Sequence, residues 1–241
     1  MNNIIINKAL DKIFLNRKLK GIKKDEKKYT ESKELINEHF ERYSNISHPC
    51  KDTMEMAVIG LNNSPATILE TGSSAWGTNS SKLFDSYVNS FGGTFDTVDI
   101  RIKPALKLRP VCSVNTNFHC NDSIKFLKKW CALNRDKKID LIYLDSWDVN
   151  WIDPDPSQLH GLQEFLACST NLKKGSQLLI DDSPINEEIM KKVNNNYIKN
   201  FKDYYDINGF YPGKGGLVLN LLKQLKKGQL LKHEYQILWQ F

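Results

Sequence analysis

At 241 residues the chain is long enough for one large domain with an appendage and too short for a string of modules. Hydrophobic residues at 40% and charged residues at 26% match a soluble globular protein and exclude a disordered or collagen-like chain. The formal charge of +6 is a lysine surplus, with arginine only at positions 17, 42, 101, 109 and 135; bidentate phosphate reading prefers the arginine fork, so this charge disfavours a dedicated nucleic-acid surface.

The only apolar run near the amino terminus is Ile4 to Ile6, far short of a signal-peptide core or a membrane span. A cytoplasmic protein with no membrane partner is expected. Cysteines at 50, 112, 120, 131 and 168 form no C-x-x-C pair, so a reduced compartment is expected and neither a disulfide framework nor a zinc knuckle. The charged stretch Lys18 to Lys28 reads as a solvated face, or as a separator between a short helical arm and the body.

Thr30-Glu31-Ser32 predicts a helix start running to about Tyr43, and Met54, Ala57, Val58 and Leu61 follow helical spacing. From Pro65 short apolar runs alternate with longer periodic ones. ATILETG, TFDTVDI, IDLIYLD and SQLLIDD read as strands. Helices are predicted through Lys82 to Ser90, Ser123 to Leu133, Ser157 to Thr170 and Glu187 to Val193. GGLVLNLLK and EYQILWQF read as a final antiparallel pair, because no crossover helix fits between them. The expectation is an α/β protein: a Rossmann-like, doubly wound, mainly parallel seven-stranded sheet with an antiparallel C-terminal strand. Residues 1–64 would form an N-terminal helical arm or cap, which covers the pocket or makes a homodimer contact, and residues 65–241 the catalytic domain.

In open parallel sheets ligands bind at the carboxyl ends of the strands. The first strand ends in Glu70-Thr71-Gly72-Ser73-Ser74-Ala75-Trp76-Gly77, a small-residue turn. The second ends at Asp99, about 20 residues beyond Gly77, the offset at which an acid accepts hydrogen bonds from a ribose. The dinucleotide fingerprint G-x-G-x-x-G is absent, and an acid at the turn suits a cationic ligand better than a phosphate.

With LETGSSAWG, VDI, CNDS, LIYLDSWD and LLIDDSP in order at successive strand ends, the chain resembles the class I S-adenosylmethionine-dependent methyltransferases. The resemblance implies that Glu70 and Gly72, with Ser74 in the same loop, hold the methionine part of the donor. It implies that Asp99 binds the ribose and that Asp122 and Ser123 lie by the adenine. The family's E-x-G-x-G-x-G keeps only Gly72 here; Ser74 and Trp76 stand at the other glycine positions and Gly77 is displaced by one. Capping of the following helices is the other reading of Glu70, Asp99 and Asp122. Trp76 packs on the sheet or stacks on the ligand.

Asp145, Asp148, Asp181 and Asp182 follow the fourth and fifth strands. Clustered carboxylates bind protons or a cation, and an oxygen-only set suits magnesium, manganese or calcium. This looks like the metal-dependent O-methyltransferases of the catechol and antibiotic-sugar types, and that likeness implies Asp145, Asp181 and Asp182 as ligands of a divalent ion, magnesium first. The lysine base of the catechol type is replaced by Asp148. Asp148 and His160, with Glu164 one turn on, are therefore the base candidates beside Asp145; a packed or surface histidine is the equal alternative for His160. Asp181 and Asp182 also read as turn residues. Trp147 and Trp151 wall the acceptor site or simply pack. The segments of the nucleobase amino- and C5-methylating enzymes are absent. The expected reaction is methyl transfer to a hydroxyl of a small acceptor such as a sugar, polyol or catechol. RNA ribose 2'-O-methylation and a non-catalytic donor-binding module are the alternatives.

Overall fold

The computed structural model describes residues 27–74 and 77–241. Residues 1–26 of the expected N-terminal arm, with the Ile4 to Ile6 run, and Trp76 lie outside the described residues. The elements run α1 (Ser32–Tyr43), α2 (Lys51–Ile59), β1 (Ala66–Thr71), α3 (Ser80–Phe91), β2 (Gly93–Asp99), α4 (Ile102–Leu108), β3 (Thr116–Cys120) and α5 (Ser123–Leu133). They continue through β4 (Leu141–Leu144), α6 (Asp155–Cys168), β5 (Gln177–Ile180), α7 (Glu187–Asn194), α8 (Ile198–Asn208), α9 (Gly216–Leu225), β6 (Gln229–His233) and β7 (Ile237–Gln240).

One seven-stranded sheet has the order β3-β2-β1-β4-β5-β7-β6. The first five strands are parallel, and β7 inserts antiparallel between β5 and β6. The order reverses between β1 and β4, so the ends of β1, β2, β4 and β5 open onto one crevice. Every residue of β1, β4 and β5 is buried, as a parallel sheet covered on both faces requires. Alternate side chains sort to two cores. Ile68, Phe95, Leu141, Tyr143 and Leu179 pack with α1, α2 and α3, while Leu69, Val98, Ile142, Leu144 and Ile180 pack with α5, α6 and α9.

The N-terminal helices thus share the first core with the sheet. They also hold the turn after β1. His39 Nε2 donates to the Thr78 carbonyl at 2.7 Å, Ser44 Oγ donates to the Gly77 carbonyl, and Asn79 Nδ2 donates to the Tyr43 carbonyl. Burial pushes the His39 imidazole down to about 4, which keeps it neutral with its proton on the nitrogen facing Thr78.

GGLVLNLLK is a helix and not the expected strand. Val218, Leu219 and Leu222 are buried against the sheet at helical spacing, and leucine, lysine and glutamine favour helix; burying each such side chain contributes about 1.5–3 kcal/mol. The antiparallel pair at the sheet edge is β6 with β7. The helices α4 and α8 have no counterpart among the predicted elements; α8 buries only Phe201, so its periodic signal is faint. No helix among the described residues is long and apolar enough to cross a membrane.

Candidate functional site

The turn after β1 is drawn tight under the sheet edge. Gly72 has φ +81°, and a Cβ there would stand 2.1 Å from the Asp145 carbonyl oxygen, so only glycine lets β1 and β4 approach this closely. Its amide donates to the Val98 carbonyl at 2.8 Å. Ser74 is also left-handed, at φ +61°, and its amide donates to Ser81 Oγ at 2.7 Å.

Glu70 lies beneath this turn with no exposed surface. Ser80 Oγ donates to Oε1, and Ser81 Oγ and Thr97 Oγ1 donate to Oε2. Burial pushes its carboxyl up to about 7, against the opposing pull of those hydroxyls. The carboxyl is therefore used in fastening the turn to α3 and β2. Its two oxygens are met by three hydroxyl donors, which shape the turn from below.

Asp99, at the end of β2, presents its carboxylate at the crevice and meets a partner the sequence reading did not consider. The Arg101 guanidinium grips it twice, Nε to Oδ1 at 3.0 Å and Nη2 to Oδ2 at 2.9 Å, while the Arg101 amide donates to Oδ1 at 2.7 Å. The Arg101 side chain is 70% exposed and that of Asp99 only 5%. The hydrogen bonds and charge of Asp99 raise the Arg101 pKa.

Asp122 caps α5, its Oδ1 accepting from the Lys125 amide at 2.8 Å. Capping, the alternative weighed for it, is thus present. Ser123 turns toward α6, where its Oγ lies 3.1 Å from His160 Nε2. The same nitrogen is 2.9 Å from Ser146 Oγ and 3.4 Å from Glu164 Oε1, Ser146 Oγ donates to Glu164 Oε1 at 2.7 Å, and the Trp147 ring lies 5.1 Å from the imidazole. His160 is enclosed in a network joining the ends of β3 and β4 to α6. Asp148 is exposed on the loop after β4, and its charge is felt at Arg101. Trp147 is half exposed, whereas Trp151 packs on Phe201 and Met190, away from the strand ends.

Asp145, Asp181 and Asp182 do converge: one ligand oxygen from each lies within 4.8 Å of the others. The space between them is claimed by Lys214. Its Nζ donates to Asp145 Oδ1 and lies 2.8 Å from Asp182 Oδ2, with only 4% of the side chain exposed. Burial alone would lower the Lys214 pKa, but the carboxylates of Asp145, Asp182 and Asp181 overturn that and hold it well above the ordinary lysine range. Two further oxygens are engaged. Asp181 Oδ1 accepts from Gln236 Nε2 at 2.9 Å and from the Cys50 thiol, and Asp182 Oδ1 accepts from Tyr235.

Lys214 escaped the sequence reading although the signal was there, in Pro212-Gly213-Lys214-Gly215-Gly216. A Cβ on Gly213 would meet the Asp182 carbonyl at 2.3 Å, one on Gly215 the Ile237 side chain at 2.6 Å, and one on Gly216 Gln158 Oε1 at 2.3 Å. On the facing helix, a Cβ on Gly161 would meet the Lys214 carbonyl at 2.4 Å. The Lys214 amide donates to the Asp182 carbonyl at 3.1 Å. Glycines on every side allow this backbone to be pressed between α6 and the end of β5, which delivers the ammonium to the acids.

A divalent ion at the acid cluster would have to share these carboxylates with Lys214, whose ammonium bridges Asp145 and Asp182; like charges at about 3–4 Å repel strongly in a buried site.

No protein-family model and no curated protein matches the chain in sequence. Solved structures do match it in fold. The MycE methyltransferase from the mycinamycin biosynthetic pathway, solved with Mg, SAH and mycinamycin VI, superposes with a TM-score of 0.58 at 15% identity over 89% of this chain. This chain spans about half of that one, 55%. The calicheamicin methyltransferase CalS11 gives a TM-score of 0.50 at 11% identity, over 87% of this chain and 91% of its own. The fold, a mainly parallel seven-stranded Rossmann-like sheet as expected from the sequence, is shared with these methyltransferases.

Proposed function

We propose that the chain transfers a methyl group from S-adenosylmethionine to a hydroxyl of a small molecule. The observation that carries this reading is the set of strand-end groups on the reversal of the sheet, with the glycine turn after β1 and Asp99 after β2 shaped for an adenosine-type donor. MycE was solved with SAH and a mycinamycin, and a chain of the same fold is read as using the same donor.

The donor would lie over Gly72 and Ser74, its ribose hydroxyls on Asp99 and its adenine near Asp122 and Ser123. Asp99 is free for the ribose once Arg101 swings into solvent, a motion its exposure permits. The acceptor hydroxyl would meet the sulfonium methyl near Asp145. In-line placement contributes much of the acceleration in such a displacement. Of the two base candidates, Asp148 is exposed and reachable, whereas His160 is enclosed by Ser123, Ser146 and Glu164. Asp148 is therefore assigned to take the hydroxyl proton, and His160 to hold the ends of β3 and β4 in place. No step is routed through a metal ion, because Lys214 bridges Asp145 and Asp182.

Calorimetry with S-adenosylmethionine and its product S-adenosylhomocysteine (SAH) tests the reading. Saturable binding that is lost in Asp99→Ala is expected; absence of binding by both compounds would end it.

A further inference from the structure

We propose that Lys214 is the resident cation of the acidic centre, and that its ammonium takes the place of the divalent ion that three converging carboxylates would otherwise bind. The charge count supports this. Asp145, Asp181 and Asp182 concentrate three carboxylates within 4.8 Å, an arrangement whose repulsion a proton or a cation relieves. The chain supplies a cation itself, by a glycine-rich backbone segment that passes close to Asp182 and Gly161. Four glycines stand where a Cβ would collide with a neighbour at 2.3–2.6 Å.

The geometry also shows why the ammonium is not a temporary occupant. The Lys214 backbone is fixed at its amide by Asp182 and at its carbonyl by the close approach of Gly161, and the side chain is 4% exposed. A hard divalent ion takes about six or more oxygen ligands. Here it would compete with Lys214 for Asp145 and Asp182, with Gln236 and the Cys50 thiol for Asp181 Oδ1, and with Tyr235 for Asp182 Oδ1.

An ammonium has three N–H donors. Two go to Asp145 and Asp182, and the third remains to hold an acceptor oxygen, which would make Lys214 a positioning residue. That role rests on the methyl-transfer reading; the replacement of the ion does not.

The test titrates Mn²⁺ into the full chain and into Lys214→Met by calorimetry, follows both melting temperatures with Mn²⁺ or chelator, and adds SAH to the same samples. The wild-type chain is expected to show no saturable Mn²⁺ binding and an unchanged melting temperature. Lys214→Met is expected to bind one Mn²⁺, with a gain of at least about a hundredfold in affinity from removing a like charge at contact distance, and to melt higher with the ion. One-to-one Mn²⁺ binding by the wild-type chain would overturn the proposal. Should Lys214→Met not yield folded protein, Lys214→Arg decides alongside the wild type: it keeps the positive charge and must stay indifferent to the ion, and stoichiometric binding by it would count against the idea. Missing SAH binding in every sample would sink the methyl-transfer reading while leaving the Mn²⁺ result standing.

Discussion

Two acids of this sheet edge are each held by a cation from the same chain, and the two pairs differ in almost everything but charge. Arg101 grips Asp99 from two residues away, with most of its side chain in solvent. Lys214 reaches Asp145 from 69 residues away and is sealed between α6 and the end of β5. The first pair is screened by water on the side of its cation alone, since Asp99 is buried, and its contribution falls toward the ~0–1 kcal/mol of surface pairs. Removing one partner of a buried pair costs about 3–5 kcal/mol, because the other charge is left uncompensated. The first cation stands largely in solvent; the second is buried between α6 and the end of β5. Glu70 completes the series as a strand-end acid served by three hydroxyls instead of a cation, which leaves its charged form poorly compensated.

The largest effect is therefore expected from Lys214→Met, a loss of about 3–5 kcal/mol in urea unfolding. A loss below about 1 kcal/mol would place this pair with the surface pairs and erase the contrast.

Glu70→Gln comes next. The wild-type carboxyl is held at about 7 in the fold by burial, above the ordinary range of about 4.3. The folded state thus binds its proton more tightly than the unfolded one. This contribution is neutral below about pH 4, and as the pH rises to 7 it removes stability, by an amount on the order of 3 kcal/mol. Melting curves of the Gln variant should lack that part of the decline between pH 4.5 and 7; an identical decline in both proteins would contradict the assignment to Glu70.

Arg101→Ala is the smallest change. Stability should shift by less than about 1 kcal/mol, while SAH affinity rises several-fold because the ribose no longer competes with a guanidinium for Asp99. Weaker SAH binding would mean that Arg101 assists the ligand and does not stand in its way.

The differing legibility of these sites follows from chain distance. Asp99 was found by its offset from the glycine turn, and Asp122 by its position before a periodic run, since both are local patterns. The turn around Gly72 was legible for the same reason. Lys214 was not, because nothing near it marks it as a partner of Asp145 or Asp182; its glycine neighbours acquire meaning only when α6 and β5 are packed against them. His160 illustrates the limit from the other side. Its place in the first turns of α6 suggested a view of the crevice, but Ser123 and Ser146 come from other segments and enclose it. GGLVLNLLK was misread because an apolar run of that length fits a buried strand and a helix face alike.

By itself the sequence determined the alternation of strands and helices, hence the sheet and its ligand edge, because periodicity and helix and turn signals act over a few residues. It also determined which acids stand at that edge. Only the tertiary structure decided what meets them: hydroxyls under Glu70, an exposed guanidinium on Asp99, and a buried ammonium between Asp145 and Asp182. Electrostatic pairing depends on distance in space and on exclusion of water, and both come into being only when distant segments pack together.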